Sequence, residues 1–330
     1  MAATAIGLGP ARVVIVSGPT ATGKTDAVLE LARRFPVDLI SADAAQVYRG
    51  MDIGTAKPDR ATLERFPHAL IDIRDPDQVY SAAEFRCDAV AAIEASLARH
   101  RIPLVTGGTM FYLSALINGL SVLPRADARV RNAILELAEA SGWQALHLEL
   151  ERIDPELAAR IRPGDRQRLQ RAHEIYRMTG RAPSQVMSAS APRPLPFPAL
   201  HVALFHPRRD MLHERIESRF RAMLDQGLLE EVERLRTNPR LSAASVSMRT
   251  VGYRQAFEYL DRQVDFETFV QKAVAATRQL AKRQLTWLRA TPGVVWMDAS
   301  CSLTAAHLAG YIEARVDGAR RRVGASASGV

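Results

Sequence analysis

The run Gly18-Pro19-Thr20-Ala21-Thr22-Gly23-Lys24-Thr25 has the residue types and spacing of a phosphate-binding loop. Glycines let successive backbone N–H groups turn inward on an anion, and a following helix adds the positive end of its dipole. Lys24 supplies a point charge to the phosphates, and the Thr25 hydroxyl is placed to hold Mg2+. The chemistry is capture of a polyphosphate. The loop alone does not say which one, and it would admit ATP as readily as any other. Asp43 ends a second apolar run, Asp38-Leu39-Ile40-Ser41-Ala42-Asp43. It could ligate Mg2+, act as a general base, or cap the following turn. Arg215 and Arg219 stand four apart on a helical pattern and share one face, suited to clamping phosphates or to ordinary surface ion pairs. Glu217 lies two residues from each and is not expected to neutralise them.

Basic residues are the other feature with chemical content. The chain carries a formal charge of +8 with a pI of about 9.9, and arginine far outnumbers lysine. Such an excess favours an anionic partner, nucleic acid first. Two segments concentrate it. Arg160, Arg162, Arg166, Arg168, Arg171, Arg177 and Arg181 crowd one helical stretch. The segment from Val270 to Arg289 holds Lys272, Arg278, Lys282, Arg283 and Arg289 and no acid. A basic helix of this kind suits a nucleic-acid backbone. Trp287 is interleaved with these cations, and we expect it in the core.

Strands and helices must position these groups. Val13-Val14-Ile15-Val16 before the loop reads as a buried strand, and Asp26 to Arg34 after it as a helix. Further strands are expected at Asp38 to Asp43, Ala69 to Ile73, Pro103 to Thr109, Ala199 to Phe205 and Val294 to Met297. Helices are expected from Ser81 to Arg99, with a Ser81/Glu84 capping box, from Arg209 to Gln226 and from Phe266 to Arg289. Alternation of this kind predicts an α/β fold, a parallel sheet with ligands at the carboxyl ends of its strands. Ser17, Asp43 and Gly107-Gly108-Thr109 fall at such ends and should share one crevice. From about Leu123 the texture changes: Asp127 to Ala140 and Pro155 to Thr179 are helical, and Pro183 to Pro198 reads as linker. The expected layout is a phosphate-loop core over residues 1–122, an inserted helical domain over 123–198, and a second part of the core over 199–330 that ends in a disordered basic tail. The start, Met1 to Pro10, reads as a loose end rather than a signal peptide. No apolar run is long enough to span a membrane. Cys87 and Cys301 form no zinc or disulfide pattern, which fits a reducing cytoplasm.

The phosphate loop, Ile40-Ser41-Ala42-Asp43 and the block Gln46-Val47-Tyr48-Arg49-Gly50-Met51-Asp52-Ile53-Gly54-Thr55-Ala56-Lys57-Pro58 occur in order with Gly107-Gly108-Thr109. Gln167-Arg168-Leu169-Gln170-Arg171-Ala172, Arg249-Thr250-Val251-Gly252-Tyr253-Arg254 and Thr277-Arg278-Gln279-Leu280-Ala281-Lys282-Arg283-Gln284 follow. In these segments the chain resembles the bacterial tRNA dimethylallyltransferases, with a P-loop NTPase-like core. The resemblance implies transfer of a dimethylallyl group from dimethylallyl diphosphate to N6 of adenosine 37, in tRNAs reading codons that start with U. Gly18, Pro19, Thr20, Ala21, Thr22, Gly23, Lys24 and Thr25 would then hold the leaving diphosphate, with Arg219 as a further contact and Mg2+ on Thr25. Asp43 would take the N6 proton. Asp43, Ala44, Ala45 and Gln46, then Gln167, Arg168, Leu169, Gln170 and Arg171, would meet the tRNA anticodon stem-loop. So would Arg249, Gly252, Tyr253 and Arg254, with Lys282, Arg283 and Arg289. Thr109 and Arg131 would flank a flipped-out adenine. A monomer is expected. Ala44 stands where the family has Ser, and His173 where it has Leu. The other readings of the loop are a small-molecule kinase, a prenyltransferase acting on free adenine nucleotides, and an RNA-binding protein that uses the loop only as a switch.

Overall fold

The computed structural model describes residues 11–125, 127–190, 192–301 and 303–316. The expected loose start and basic tail lie outside them. The chain divides into two compact units. One runs up to Ile117 and resumes at Leu195; the other is Asn118–Pro194.

In the first unit, β1 (Val13–Ser17) leads through the glycine loop into α1 (Lys24–Arg34) and β2 (Val37–Ser41). Short α2 (Arg60–Arg65) and β3 (His68–Ala69) precede α3 (Ala82–Ala98), β4 (Ile102–Gly107) and α4 (Met110–Asn118). The helical unit holds α5 (Ala128–Ile153), α6 (Pro155–Ala158), α7 (Arg166–Thr179) and α8 (Pro183–Ala189). The core resumes with β5 (Ala199–Phe205), α9 (Arg209–Asp225), α10 (Leu228–Arg236), α11 (Tyr253–Leu260), α12 (Phe266–Ala290), β6 (Val295–Asp298) and α13 (Thr304–Arg315).

The strands pair all-parallel in the order β3-β2-β4-β1-β5-β6. Both faces of this sheet are covered, which is why β1 is a continuous β-branched run. Val13 and Ile15 enter the cluster that includes Phe85, Leu116, Phe220 and Phe269. Val14 and Val16 enter the opposite cluster, with Val28, Leu31, Leu308 and Ile312. The capping box of α3 forms as predicted: the Glu84 N–H donates to Ser81 Oγ, and the Glu84 carboxylate accepts from the Ser81 N–H.

Three local expectations are corrected, and one helix end falls where it was expected. The strand predicted at Ala69 to Ile73 stops at Ala69 because Leu70 and Asp72 turn left-handed, at φ of 68° and 55°. The Asp72 carboxylate is drawn to the buried Lys57 ammonium, 2.6 Å away. The helix predicted from Pro155 to Thr179 breaks into two around Pro163-Gly164, and Asp165 caps the second part by accepting from the Arg168 N–H. The helix predicted to end at Ala140 does leave helical backbone there, at Gly142 with φ of 81° and ψ of 154°, a conformation that suits a residue without Cβ; a second helical stretch, not predicted, then runs to Ile153. The stretch predicted as linker contains α8, started by Pro183 at its first turn. The buried Asp154 carboxylate ties the starts of two helices, accepting from the N–H groups of Leu157 and Ser184.

The helical unit has its own apolar core around Leu150, Ile161 and Leu169, continued by Ile134 and Leu146. Glu174 is buried there and accepts from Arg131, Arg171 and Gln170. These donors hold its carboxyl below the usual range, against the desolvation that would raise it. His173, the departure from the family pattern, is fully buried, with Nε2 2.9 Å from the Leu146 carbonyl oxygen.

Candidate active site

The carboxyl ends of β1, β4 and β2 are neighbours in the sheet, and strands lie about 4.8 Å apart. The phosphate loop, the Gly107-Gly108 turn and Asp43 are thereby brought to one cleft of about 930 Å3. Arg215 and Arg219 enter it from α9, and Thr277, Leu280 and Gln284 from α12. Thr109, expected in the same crevice, does not line it, and neither does Ser17. The Ser17 hydroxyl points under the sheet end, 2.8 Å from Nε2 of buried His201, whose pKa burial lowers to about 4.

The loop is held from several sides. Gly18 lies so close to β5 that a Cβ would come 2.4 Å from the Leu204 carbonyl oxygen. Gly23 is left-handed and sits at the N-cap of α1, so the first turn of that helix opens toward the cleft. Thr22 Oγ1 donates to the Pro19 carbonyl at 2.8 Å, and Lys24 Nζ donates to the same oxygen at 2.7 Å. Arg215 Nε donates to the Ala21 carbonyl at 3.0 Å. Loss of surrounding water and then the nearby Arg219 guanidinium lower the Lys24 pKa to about 8, with Asp43 acting in the opposite sense. Arg219 is itself lowered by burial and by Arg215, and supported by Asp43 and Asp26. Three cations thus crowd a small volume at the loop. Arg215 and Arg219 line the cleft beside the loop and form no ion pair among the described residues. Glu217 pairs instead with Arg221 and Arg278.

Asp43 caps its turn and lines the cleft at once. Its Oδ1 accepts from the Ala45 N–H at 2.9 Å and the Gln46 N–H at 3.4 Å. Both bonds fall on one oxygen, so the turn does not need the other. Thr109 Oγ1 accepts from the Ala44 N–H at 2.9 Å, which ties the two strand ends together. Gly107 is required by closeness: a Cβ there would lie 2.3 Å from the Ala42 carbonyl oxygen.

One organising residue carries no sequence signal. Glu231 on α10 is buried, and its carboxylate accepts from the N–H groups of Asp52, Ile53 and Gly54 at 2.9, 2.8 and 3.2 Å. The Tyr253 hydroxyl donates to it at 2.5 Å. Glu231 therefore shapes the loop that carries Thr55, Ala56 and Lys57 into the cleft. In sequence it is one acid among several on an amphipathic helix. Replacing Glu231 by alanine should leave three N–H groups and a buried phenol unpaired. We expect a loss on the order of 3 kcal/mol, read as a lower thermal midpoint; an unchanged midpoint would contradict this assignment.

Two expected tRNA contacts are corrected by burial. Tyr253 is fully enclosed with its hydroxyl on Glu231, and Leu169 is enclosed in the core of the helical unit. Neither side chain can reach a partner. Trp287 is corrected in the other direction: it is 40% exposed rather than in the core. It stands four residues after Arg283, which is also exposed, so the two share a face of α12. The basic row is thinner than its sequence suggests. Lys272 pairs with Glu258 and Arg278 with Glu217, whereas Lys282, Arg283 and Arg289 are exposed and have no acid within ion-pair distance among the described residues. Arg249 and Arg254 are exposed as well. Arg131, Gln167, Arg168, Gln170 and Arg171 belong to the helical unit, where Arg131 and Arg171 grip Glu174.

A family model for IPP transferase matches residues 46–291. The chain belongs to this family, the tRNA dimethylallyltransferases. It is 52% identical over 311 residues to a tRNA dimethylallyltransferase of Thiobacillus denitrificans, covering 92% of this chain and 98% of that protein. It is 50% identical to tRNA dimethylallyltransferase 2 of Hahella chejuensis, over 87% and 90% of the two chains. Among solved structures, the tRNA isopentenylpyrophosphate transferase of Bacillus halodurans is 35% identical, with a TM-score of 0.66 over 92% of this chain and 97% of that one. A eukaryotic dimethylallyltransferase acting on tRNA is 26% identical, with a TM-score of 0.76 over 90% and 77%. The expected family and the P-loop-type parallel sheet with a helical insertion are thus borne out. The kinase and non-catalytic readings give way to a dimethylallyltransferase.

Proposed function

We propose that this transferase moves a dimethylallyl group from dimethylallyl diphosphate to N6 of adenosine 37, in tRNAs reading codons that start with U. The observation that carries the reading is the single cleft shared by the phosphate loop, Arg219 and Asp43. The N6–carbon bond forms as the carbon–oxygen bond to diphosphate breaks, and Asp43 takes the proton that N6 loses. Lys24, Arg215, Arg219 and the N–H groups at the start of α1 receive the charge that gathers on the departing diphosphate.

The donor set suits Mg2+. Thr25 is exposed at the start of α1, and no cluster of three metal-binding side chains occurs among the described residues. Mg2+ takes one or two protein ligands and completes its shell with water and substrate phosphates. When bound, it supplies further neutralisation of the diphosphate, with Thr25 as its protein ligand.

The tRNA anticodon stem-loop is the acceptor we assign. Lys282, Arg283, Arg289, Arg249 and Arg254 supply exposed positive charge, and Trp287 beside Arg283 offers a face for base stacking. The cleft draws all its lining residues from one unit of one chain, which supports a working monomer. No helix of the described residues is long and apolar enough to cross a membrane. Cys87 and Cys301 are exposed and unpaired, as suits the cytoplasm.

The test is nucleoside analysis of tRNA incubated with enzyme, Mg2+ and dimethylallyl diphosphate. N6-dimethylallyladenosine should appear at the position next to the anticodon. Efficient prenylation of AMP, with an anticodon stem-loop left untouched, would assign the enzyme to free nucleotides instead.

A further inference from the structure

Gln284 sits on α12 between the two halves of the cleft, and its side chain is buried. Its Oε1 accepts from the Thr20 N–H of the phosphate loop at 3.0 Å. Its Nε2 donates to the Gly108 carbonyl at 2.7 Å. The approach to Gly108 is close, since a Cβ there would lie 2.6 Å from Nε2. One partner is a backbone donor and the other a backbone acceptor, so only one orientation of the amide satisfies both. A carboxylate of the same shape could accept from Thr20 but would set a lone pair against the Gly108 oxygen.

The two ends of this bridge have different tasks. Thr20 belongs to the loop assigned to the leaving diphosphate. Gly108 belongs to the turn that carries Thr109 and, through the Ala44 N–H, the strand end bearing Asp43. We infer that Gln284 is a positioning residue for transfer, one that sets the separation between the diphosphate loop and the turn holding the base. This rests on the assignment of the loop to diphosphate and of Asp43 to the base. Gln284 need touch neither substrate. The same helix exposes Lys282 and Arg283 one and two residues away, so RNA seated on α12 would bear on the bridge.

The experiment compares Gln284→Met and Gln284→Glu with the unaltered enzyme. Gln284→Met keeps the bulk and removes both hydrogen bonds. Its kcat should fall about 10- to 100-fold, the scale of a misplaced reacting group, while KM for donor and tRNA changes by less than about threefold. Gln284→Glu should be as slow at high pH and should recover relative to the unaltered enzyme as the pH falls, because the protonated acid regains a donor for Gly108. A kcat within about twofold of the unaltered enzyme in Gln284→Met, or a Gln284→Glu profile parallel to the unaltered one, overturns the inference. Lys24→Ala is run beside them: if it binds donor and turns over normally, the loop assignment has failed rather than the bridge. Should neither Gln284 variant fold, amide exchange of the unaltered protein decides. Slow exchange at Thr20 supports the bridge, and exchange at the rate of an open loop overturns it.

Discussion

Asp43→Ala should lower kcat about 10²- to 10⁴-fold, the usual contribution of a positioned general base, while tRNA binding persists. N6 of adenine is a poor nucleophile because its lone pair is delocalised into the ring. Removing its proton as the new bond forms returns that electron density to nitrogen. In the proposed reaction Asp43 is the carboxylate assigned to this; it follows β2 and lines the cleft that also holds the phosphate loop. The same substitution removes the cap on the Ala45 N–H, a structural effect that must be separated from the chemical one. Asp43→Asn serves that purpose, since its side-chain oxygen can still accept from Ala45 but cannot take a proton. Both variants should lose turnover, and Asp43→Asn should keep the thermal midpoint. An Asp43→Asn enzyme with kcat near that of the unaltered protein would remove Asp43 from the chemistry and leave it as a cap.

Lys24→Ala should cost about 10²- to 10³-fold in kcat/KM, comparable to loss of one preorganised charge-stabilising group. The ammonium donates to the Pro19 carbonyl inside its own loop. It is thereby held in place and need not be ordered when diphosphate arrives. A pH dependence follows from the same crowding. Burial and the neighbouring Arg219 bring the Lys24 pKa down to about 8 in the free enzyme. A bound polyanion favours the protonated form, so donor affinity is full below that pH and declines as the pH rises through about 8. The donor dissociation constant measured from pH 6 to 10 should be flat and then climb. The break should be absent in Lys24→Ala. A flat profile across the range in the unaltered enzyme would contradict the lowered pKa.

The chemistry of this protein was legible where it rests on contiguous residues. The phosphate loop needs glycines, a lysine and a threonine at set distances between a strand and a helix, and the backbone there folds locally. Strand ends were legible for the same reason, and a parallel sheet brings consecutive strand ends to one side. Asp43 and Gly107 could therefore be placed beside the loop from sequence alone, and the ordered motifs led to the family. Tertiary structure decided what depends on distant partners. Glu231 is recognisable only when three N–H groups, more than 170 residues away in the chain, are seen to converge on it. Tyr253 looks like a contact residue until that same carboxylate claims its hydroxyl. Spacing cannot tell whether Trp287 faces core or solvent, because several faces of α12 are occupied in different ways along its length. Lys272 and Arg278 look free until acids from α11 and α9 arrive beside them. The physical division is between range and direction. Backbone conformation and period follow from near neighbours, whereas burial, ion pairing and hydrogen-bond satisfaction are set by groups that only the completed fold brings within reach.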